Sequence, residues 1–224
     1  MKVYCIISDE RAHRSKSPAI FSTVLKRMGI KGAYVPFQVN PGDIGQALQS
    51  LRILNIAGAN VTVPYKETVV SHMDVLSEGA SIIGAINTIV RNGAALKGYN
   101  TNAIGFMDAL NEIGFDVEGK SALVIGTGGA AKAAVFILSW LRTRAIYVAG
   151  RGADRTAEIV SRFSGEARTL SSLLDNPPQA DIIVNATSVS IADESSEMDA
   201  LVREMEIPGC ELVLDFNYDR PDNL

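Results

Sequence analysis

A glycine-rich segment, residues 126–131 (GTGGAA), stands between a continuous apolar run and a helical pattern. In that context the first glycine permits a tight turn, and the second lets the backbone approach a pyrophosphate. The free N–H groups at the start of the following helix favour an anion. The pattern predicts a dinucleotide site, and a glycine turn without a ligand is the alternative. The predicted cofactor-binding residues of this segment are Gly126, Gly128, Gly129 and Ala130.

Two arginines stand where the ribose of the dinucleotide is expected. The next apolar run ends at Gly150, Arg151 follows it directly, and Arg155 comes four residues later. Sites for NAD place an acidic residue at this position, whereas an arginine accommodates the 2′-phosphate of NADP. Since no acid is present here and both arginines fall on one helical face, the sequence predicts NADP. A pair of solvated arginines at a helix start is the alternative.

Polar side chains in the first half follow the ends of predicted strands. Ser15 and Ser17 place two hydroxyls at a helix N-terminus, which suits a carboxylate but also suits a simple helix cap. Asn60 and Thr62 alternate to one side of an extended run, and Lys66 follows soon after it. Further polar residues flank a predicted hairpin at 87–88 and 100–102. Each segment alone is ordinary turn chemistry.

The elements that must position these residues alternate between strand and helix along the whole chain. This alternation predicts a parallel sheet covered by helices. A helix opening at Ser17, with Ser17 as its cap, has one apolar stripe formed by Phe21, Val24, Leu25 and Met28. A hairpin is predicted around a turn at Asn92-Gly93. The expected strands are residues 3–8, 33–37, 57–61, 87–91, 95–99, 121–125, 144–149, 181–185 and 212–215, and helices are expected behind Asp43 and up to Gly114, Leu141 and Phe163.

Composition excludes several classes of protein. The chain has 224 residues, 47% of them hydrophobic and 21% charged, as in a globular protein. A net charge of −4 disfavours a nucleic-acid binder. No apolar run approaches the ~20 residues of a membrane span, and the N-terminus is predicted to be a strand. Two cysteines and two histidines offer neither a disulfide framework nor a metal site. A cytoplasmic protein is expected.

Together these motifs resemble the shikimate dehydrogenase family, which includes shikimate and quinate dehydrogenases. The resemblance rests on the order Ser-x-Ser-Pro, Asn-Val-Thr-x-Pro-x-Lys, Gly-Ala-x-Asn-Thr, Gly-x-Asn-Thr and Gly-x-Gly-Gly-Ala. It covers essentially the whole chain, and the second and third motifs are its specific part. It implies an α/β fold with two domains: a substrate-binding domain (1–100) and a Rossmann-like NADP-binding domain (101–224), without the C-terminal helices of the family. The implied activity is NADP-linked interconversion of 3-dehydroshikimate and shikimate, a step of aromatic amino acid biosynthesis.

The resemblance also implies a role for each matching residue. Lys66 becomes the catalytic acid or base at the reacting oxygen, beside residue 102. The residues implied to bind the carboxylate and ring hydroxyls of the substrate are Ser15, Ser17, Asn60, Thr62, Asn87 and Tyr218. The residues implied to bind the cofactor are Thr187, Arg151, Arg155 and the glycine segment. The expected partner is a small anionic cyclic hydroxy acid, with no nucleic acid and no membrane, bound by a monomer or a homodimer.

The chain departs from the family where the family's Asn-Thr-Asp stands. Residue 102 is Asn102, which hydrogen-bonds a hydroxyl but neither accepts a proton nor supplies a negative charge. Reduced activity is therefore expected. In the same way Gly150 and Gly152 replace the outer residues of the family's Asn-Arg-Thr. Two alternatives follow: a dehydrogenase for quinate or an aminoshikimate, or a non-catalytic protein that binds the ligand or the cofactor.

Overall fold

The computed structural model describes residues 1–187, 195, 201, 204–206 and 208–217. The chain forms two compact units, Met1–Thr101 and Asn102–Leu224. None of the described helices combines the length and the apolar character needed to cross a bilayer.

The first unit is built on a six-stranded sheet in the order β2-β1-β3-β5-β6-β4. Its elements are β1 (Lys2–Ser8), α1 (Ser17–Arg27), β2 (Gly32–Gln38), α2 (Ile44–Ile53), β3 (Gly58–Val61), β4 (Val75–Leu76), α3 (Glu78–Ile83), β5 (Thr88–Asn92) and β6 (Ala95–Tyr99), with 3-10 turns at Glu10–Arg14, Pro41–Asp43 and Thr68–His72. The first three strands are parallel, while β5 pairs antiparallel with both β3 and β6. The sheet is thus mixed, because a hairpin rather than a crossover helix extends it.

The core of this unit confirms the predicted face of α2. Ile44, Leu48 and Leu51 are all buried, and they pack in one cluster with Ile7 of β1 and Ile89 of β5. This packing fixes the inner strands of the sheet, whose ends carry the polar residues singled out above.

The predicted helix α1 is present, but the prediction that Ser17 caps it was wrong. The residue that precedes the helix is Lys16, which makes no side-chain capping bond, so Ser17 is the first helical residue rather than the cap. Of the apolar stripe only Leu25 is buried, and Phe21, Val24 and Met28 are exposed. α1 packs mainly against β2, the edge strand of the sheet, where Phe21 stacks on Tyr34.

The hairpin is present, but its turn is shifted by one residue from the prediction. Asn92 pairs with Ala95, so the two-residue loop is Gly93-Ala94 and Asn92 is the last residue of β5. Gly93 adopts a φ of 61°, a left-handed conformation that glycine allows without strain. The glycine therefore occupies the first loop position, not the second.

The second unit is built on a five-stranded parallel sheet in the order β11-β10-β7-β8-β9. Its elements are α4 (Thr101–Glu112), which begins at the last residue of the first unit, β7 (Ser121–Ile125), α5 (Gly129–Trp140), β8 (Ala145–Gly150), α6 (Ala153–Phe163), β9 (Glu166–Thr169), α7 (Leu170–Asp175), β10 (Ile182–Asn185) and β11 (Leu212–Asp215). Every residue of β7 is buried, as its continuous apolar run predicts. The strand order reverses between β7 and β10, where doubly wound sheets bind ligands.

Candidate active site

The polar residues of the first half meet at one edge of the first sheet. β1 and β3 run parallel, with Ile7 opposite Val61, so the segments that follow them start side by side. β5 begins at the same edge, since Asn60 pairs with Thr88, and β6 ends there, since Thr88 also pairs with Tyr99. We call this group the polar edge; its members are Ser15, Ser17, Asn60, Thr62, Lys66, Asn87 and Thr101.

The segment that carries Lys66 is held by bonds to its neighbours on both sides. The buried Ser8 donates its hydroxyl to the carbonyl of Val63 at 2.5 Å, and the Tyr65 hydroxyl donates to the carbonyl of Val39 at 2.5 Å. The N–H of Ile86 donates to the carbonyl of Lys66 at 2.8 Å. These three bonds fix the backbone of a stretch that has no regular secondary structure.

The Lys66 side chain is half-buried and makes no ion pair or hydrogen bond with any residue that the structure describes. Burial disfavours the ammonium form and lowers the pKa of Lys66 to about 8. A lysine with this pKa exchanges a proton near neutral pH, as a general acid or base must. Thr62 is also half-buried and makes no side-chain hydrogen bond within the described ranges. Both groups are therefore able to bind a ligand.

A tyrosine that the sequence interpretation missed connects two parts of the polar edge. The hydroxyl of Tyr34 donates to Asn60 Oδ1 at 2.7 Å and is also hydrogen-bonded to the side chain of Ser17. Its ring is buried and stacks on Phe21 of α1, with ring centroids 4.6 Å apart. Burial raises the pKa of Tyr34, so the hydroxyl stays protonated. The tyrosine thus orients both a predicted carboxylate-binding and a predicted hydroxyl-binding residue.

Ser15 and Asn60 make further hydrogen bonds within the first unit. Ser15 Oγ accepts the N–H of Ser17 at 3.1 Å, which shapes the start of α1. The Asn60 amide donates to the carbonyl of Asn87 and to Thr88 Oγ1, both at 3.2 Å. The side chain of Asn60 therefore retains little hydrogen-bonding capacity for a substrate, whereas Ser17 remains half-buried at the edge.

Asn87 is bonded to the start of α4. Its Oδ1 accepts the N–H of Thr101 at 2.8 Å, and its Nδ2 donates to Thr101 Oγ1 at 2.9 Å. One N–H of the Asn87 amide is left for a ligand. Asn102 directly follows Thr101 in the first turn of α4 and is half-buried.

In the second unit the glycine segment follows β7 as predicted. Gly126 adopts a φ of 123°, and a Cβ there would lie 2.8 Å from the carbonyl oxygen of Ala186. Gly128 precedes α5 with an ordinary φ of −89°, and a Cβ there would meet none of the described residues within 4 Å. Gly126 is therefore required by the fold, whereas the space beside Gly128 is available to a ligand. Gly129 is buried as the first residue of α5, and Ala130 is half-buried beside it.

Thr187 follows β10 and lies beside the glycine segment that follows β7, at the place where the strand order reverses. Gly126 approaches Ala186 and Thr187 closely, because β7 and β10 pair with Ile125 opposite Asn185. The Thr187 hydroxyl donates to Asn185 Oδ1 at 2.8 Å. The structure thus brings Thr187 together with Gly126 at the point where parallel sheets bind ligands.

The two arginines follow β8, the strand beside β7. Arg151 and Arg155 are exposed, and Arg151 makes no ion pair within the described residues. The structure explains why residue 150 is a glycine: a Cβ at this position would lie 2.5 Å from Thr127 Cγ2. The threonine methyl in the glycine segment thus fills the space that a larger residue at position 150 would need. Together, an open cradle at Gly128 and a nearby exposed arginine fit a phosphorylated dinucleotide.

One predicted residue, Tyr218, lies outside the described residues. The other predicted site residues fall into two groups, the polar edge of the first unit and the strand ends of the second, with Asn102 at the start of α4. Tyr34 carried no motif that would have marked it. Its only sequence signal is a polar hydroxyl in an otherwise apolar strand.

Comparison with known proteins matches both units to family models. Residues 7–89 match the shikimate dehydrogenase substrate-binding domain, and residues 108–216 match the shikimate / quinate 5-dehydrogenase model. A shikimate dehydrogenase (NADP(+)) from Caldanaerobacter subterraneus is 34% identical over 228 residues, which cover all of this chain and 80% of the relative. The corresponding enzyme from Nitrosopumilus maritimus is 32% identical over 87% of this chain and 73% of its own length.

Solved structures show the same similarity. A shikimate dehydrogenase from Peptoclostridium difficile superposes with a TM-score of 0.83 at 31% identity, over 97% of this chain and 78% of that chain. A shikimate 5-dehydrogenase from Thermus thermophilus, solved in complex with NADP(H) and shikimate, superposes with a TM-score of 0.81 at 31% identity, over 99% of this chain and 80% of that chain.

Proposed function

Because the chain belongs to the shikimate dehydrogenase family, we propose that it catalyses the NADP-dependent, reversible reduction of 3-dehydroshikimate to shikimate. The observation that carries the proposal is Lys66, a half-buried lysine with a pKa lowered to about 8 at an edge of polar side chains. Residues 1–100 bind the substrate and residues 101–224 bind the cofactor in this proposal.

The residues of the polar edge have separate tasks. Ser15 and Ser17, at the start of α1, bind the substrate carboxylate, where helix N–H groups favour an anion. Thr62 and the free amide N–H of Asn87 bind ring hydroxyls, and Asn60 supports them through its hydrogen bonds to Asn87 and Thr88. Tyr34 holds Ser17 and Asn60 in place through its hydroxyl. Together with Tyr218, these groups position the ring so that its reacting oxygen lies at Lys66.

Lys66 moves the proton. During reduction its ammonium form donates a proton to the developing alkoxide, and during oxidation its neutral form accepts the proton of the hydroxyl. Asn102 supplies a hydrogen bond to the same hydroxyl but no negative charge. The ammonium is therefore less stabilised and less well oriented than it would be beside an aspartate, and turnover is reduced rather than abolished.

The second unit binds NADP, which supplies or accepts the hydride when bound. Gly126, Gly128, Gly129 and Ala130 form the pyrophosphate cradle at the start of α5, with Thr187 beside it. Arg151 and Arg155 bind the 2′-phosphate, because guanidinium groups pair well with phosphate oxygens.

The proposed substrate is tested by following absorbance of NADPH with the chain, NADP and either shikimate, quinate or no added acid. We expect NADPH to form with shikimate and to form more slowly with quinate. Faster turnover of quinate would contradict shikimate as the substrate and would support the related activity of a quinate dehydrogenase. Binding of shikimate without turnover would support the non-catalytic alternative.

The pH dependence of kcat/KM should have opposite signs in the two directions. Oxidation of shikimate requires neutral Lys66, so its kcat/KM should rise as the pH increases through about 8. Reduction requires the ammonium form, so its kcat/KM should fall over the same interval. Initial rates between pH 6 and pH 10 measure both profiles. Profiles of the same sign in both directions would contradict the role given to Lys66.

The variant Asn102→Asp should raise kcat at least about tenfold, as expected when an acid–base group gains its charged partner. A carboxylate also favours the ammonium form, so the rise of the oxidation profile should move to higher pH. KM for shikimate should change less than kcat, since asparagine and aspartate both hydrogen-bond a hydroxyl. Unchanged kcat together with an unchanged pH profile would show that residue 102 does not act on Lys66.

The variant Arg151→Ala should raise KM for NADP by about 10- to 100-fold, the value of a lost charge-assisted bond to phosphate. KM for NAD should change little, because NAD lacks the 2′-phosphate. Arg142→Ala is the matched control, as it removes an arginine whose side chain is 83% exposed in the same unit. Equal effects of Arg151→Ala on both cofactors would exclude recognition of the 2′-phosphate by this residue.

We also propose a cytoplasmic location, which is supported by two free cysteines, one of them buried. The absence of a nucleic-acid partner and a monomeric or homodimeric state stay predictions from the sequence.

A further inference from the structure

A buried lysine that the proposed reaction does not use lies close to the cofactor cradle. Lys132 is on α5, only 4% exposed, and its Nζ donates to Glu158 Oε1 on α6 at 2.8 Å. The glutamate side chain is 54% exposed, so the pair is buried at its cationic end only. A buried cation is costly unless it is paired and hydrogen-bonded, which indicates a specific role for this contact.

The ion pair joins the two helices that carry the cofactor-binding residues. The N–H of Lys132 bonds to the carbonyl of Gly128, so the lysine belongs to the turn that forms the cradle. Glu158 stands three positions after Arg155 on α6, and side chains at that spacing are neighbours on a helix surface. Arg162 stands four positions after Glu158 on the same helix. Three cations lower the pKa of the Glu158 carboxyl, Lys132 most strongly and then Arg155 and Arg162.

A carboxylate beside a phosphate-binding arginine competes with the phosphate for that arginine. The competition weakens when the carboxylate is directed elsewhere by a stronger partner. Lys132 supplies such a partner, because its side chain is buried and its contact with Glu158 is a short charge-assisted hydrogen bond.

We propose that Lys132 is a positioning residue for recognition of the 2′-phosphate of NADP, acting by holding the Glu158 carboxylate at α5 and away from Arg155. This inference rests on the proposed function, since it presumes that Arg155 binds the phosphate. In this proposal the Glu158 carboxylate weakens NADP binding, and its ion pair with Lys132 reduces that effect.

A merely structural role for the ion pair predicts a different result. If the pair only joins α5 to α6, then breaking it from either side should weaken NADPH and NADH binding to the same extent. Under the proposal the two sides differ. Removing Lys132 leaves the carboxylate to the arginines of α6, Arg155 and Arg162, whereas removing the carboxylate leaves Arg155 without this competitor.

The test compares Lys132→Met, Glu158→Gln and the double variant with the unaltered chain. Dissociation constants for NADPH and NADH are measured by fluorescence titration, and thermal unfolding checks that each variant is folded. Lys132→Met should weaken NADPH binding about tenfold and NADH binding much less, since only NADPH presents the 2′-phosphate. The double variant should recover NADPH binding to near that of the unaltered chain.

Glu158→Gln keeps the test decisive if Lys132→Met fails to fold. It should leave NADPH binding unchanged or tighter. Weaker NADPH binding in Glu158→Gln, equal losses for both cofactors in Lys132→Met, or no recovery in the double variant would overturn the proposal. Failure of the unaltered chain to bind NADPH would instead contradict the proposed function itself.

Discussion

Replacing Lys66 with alanine should lower kcat for shikimate oxidation by about 10²- to 10⁴-fold, the usual contribution of a positioned acid–base group. The reason is that no other titratable side chain among the members of the polar edge can exchange the proton of the reacting hydroxyl. Binding of NADP should be unchanged, because the cradle belongs to the other unit. Steady-state kinetics with shikimate and NADP give kcat, and cofactor titration gives the dissociation constant.

Lys97→Ala is the matched control for this variant. Lys97 is also a half-buried lysine of the first unit, but its Nζ lies over the Tyr99 ring, 5.2 Å from the centroid. Its removal should leave kcat close to that of the unaltered chain. A Lys66→Ala protein that turns over as fast as Lys97→Ala would show that the proton is transferred elsewhere.

Replacing Gly128 with valine should abolish measurable NADP binding in a protein that remains folded. A Cβ at this position meets no atom of the described residues within 4 Å, so this part of the fold tolerates it. The same open space is where the pyrophosphate must approach the backbone, so the valine side chain obstructs the cofactor. Calorimetric titration with NADP and a thermal unfolding curve measure the two effects separately.

Gly126→Ala is the informative contrast to Gly128→Val. Its Cβ would lie 2.8 Å from the backbone oxygen of Ala186, at a φ of 123° that disfavours every residue except glycine. This variant should lower the melting temperature, whereas Gly128→Val should not. Retained NADP binding in Gly128→Val would mean that the segment is only a turn.

The sequence predicted most reliably the features in which each local pattern has one structural meaning. A continuous apolar run followed by glycines became the buried strand β7 and the turn before α5, since only a central parallel strand is buried on both faces. The spacing of Ile44, Leu48 and Leu51 likewise identified the buried face of α2.

Features that depend on contacts between distant segments were not predictable. Tyr34 reaches Asn60 across 26 residues of sequence, and no local pattern encodes that contact. The exposure of Phe21 and Met28 was not predictable either, because periodicity identifies an apolar stripe but not the surface that covers it. The short strand β4 and the edge strand β9 also escaped prediction, because β4 has only two residues and β9, with the sequence EART, has no apolar run.

The central claim is that this chain oxidises shikimate with NADP despite Asn102. The most direct measurement incubates the chain with shikimate and NADP, quantifies NADPH by absorbance, and identifies the acid product by mass spectrometry. We expect many turnovers, with one molecule of 3-dehydroshikimate formed for each NADPH and none in the parallel Lys66→Ala sample. No NADPH above the Lys66→Ala sample, at saturating shikimate and NADP, would contradict it.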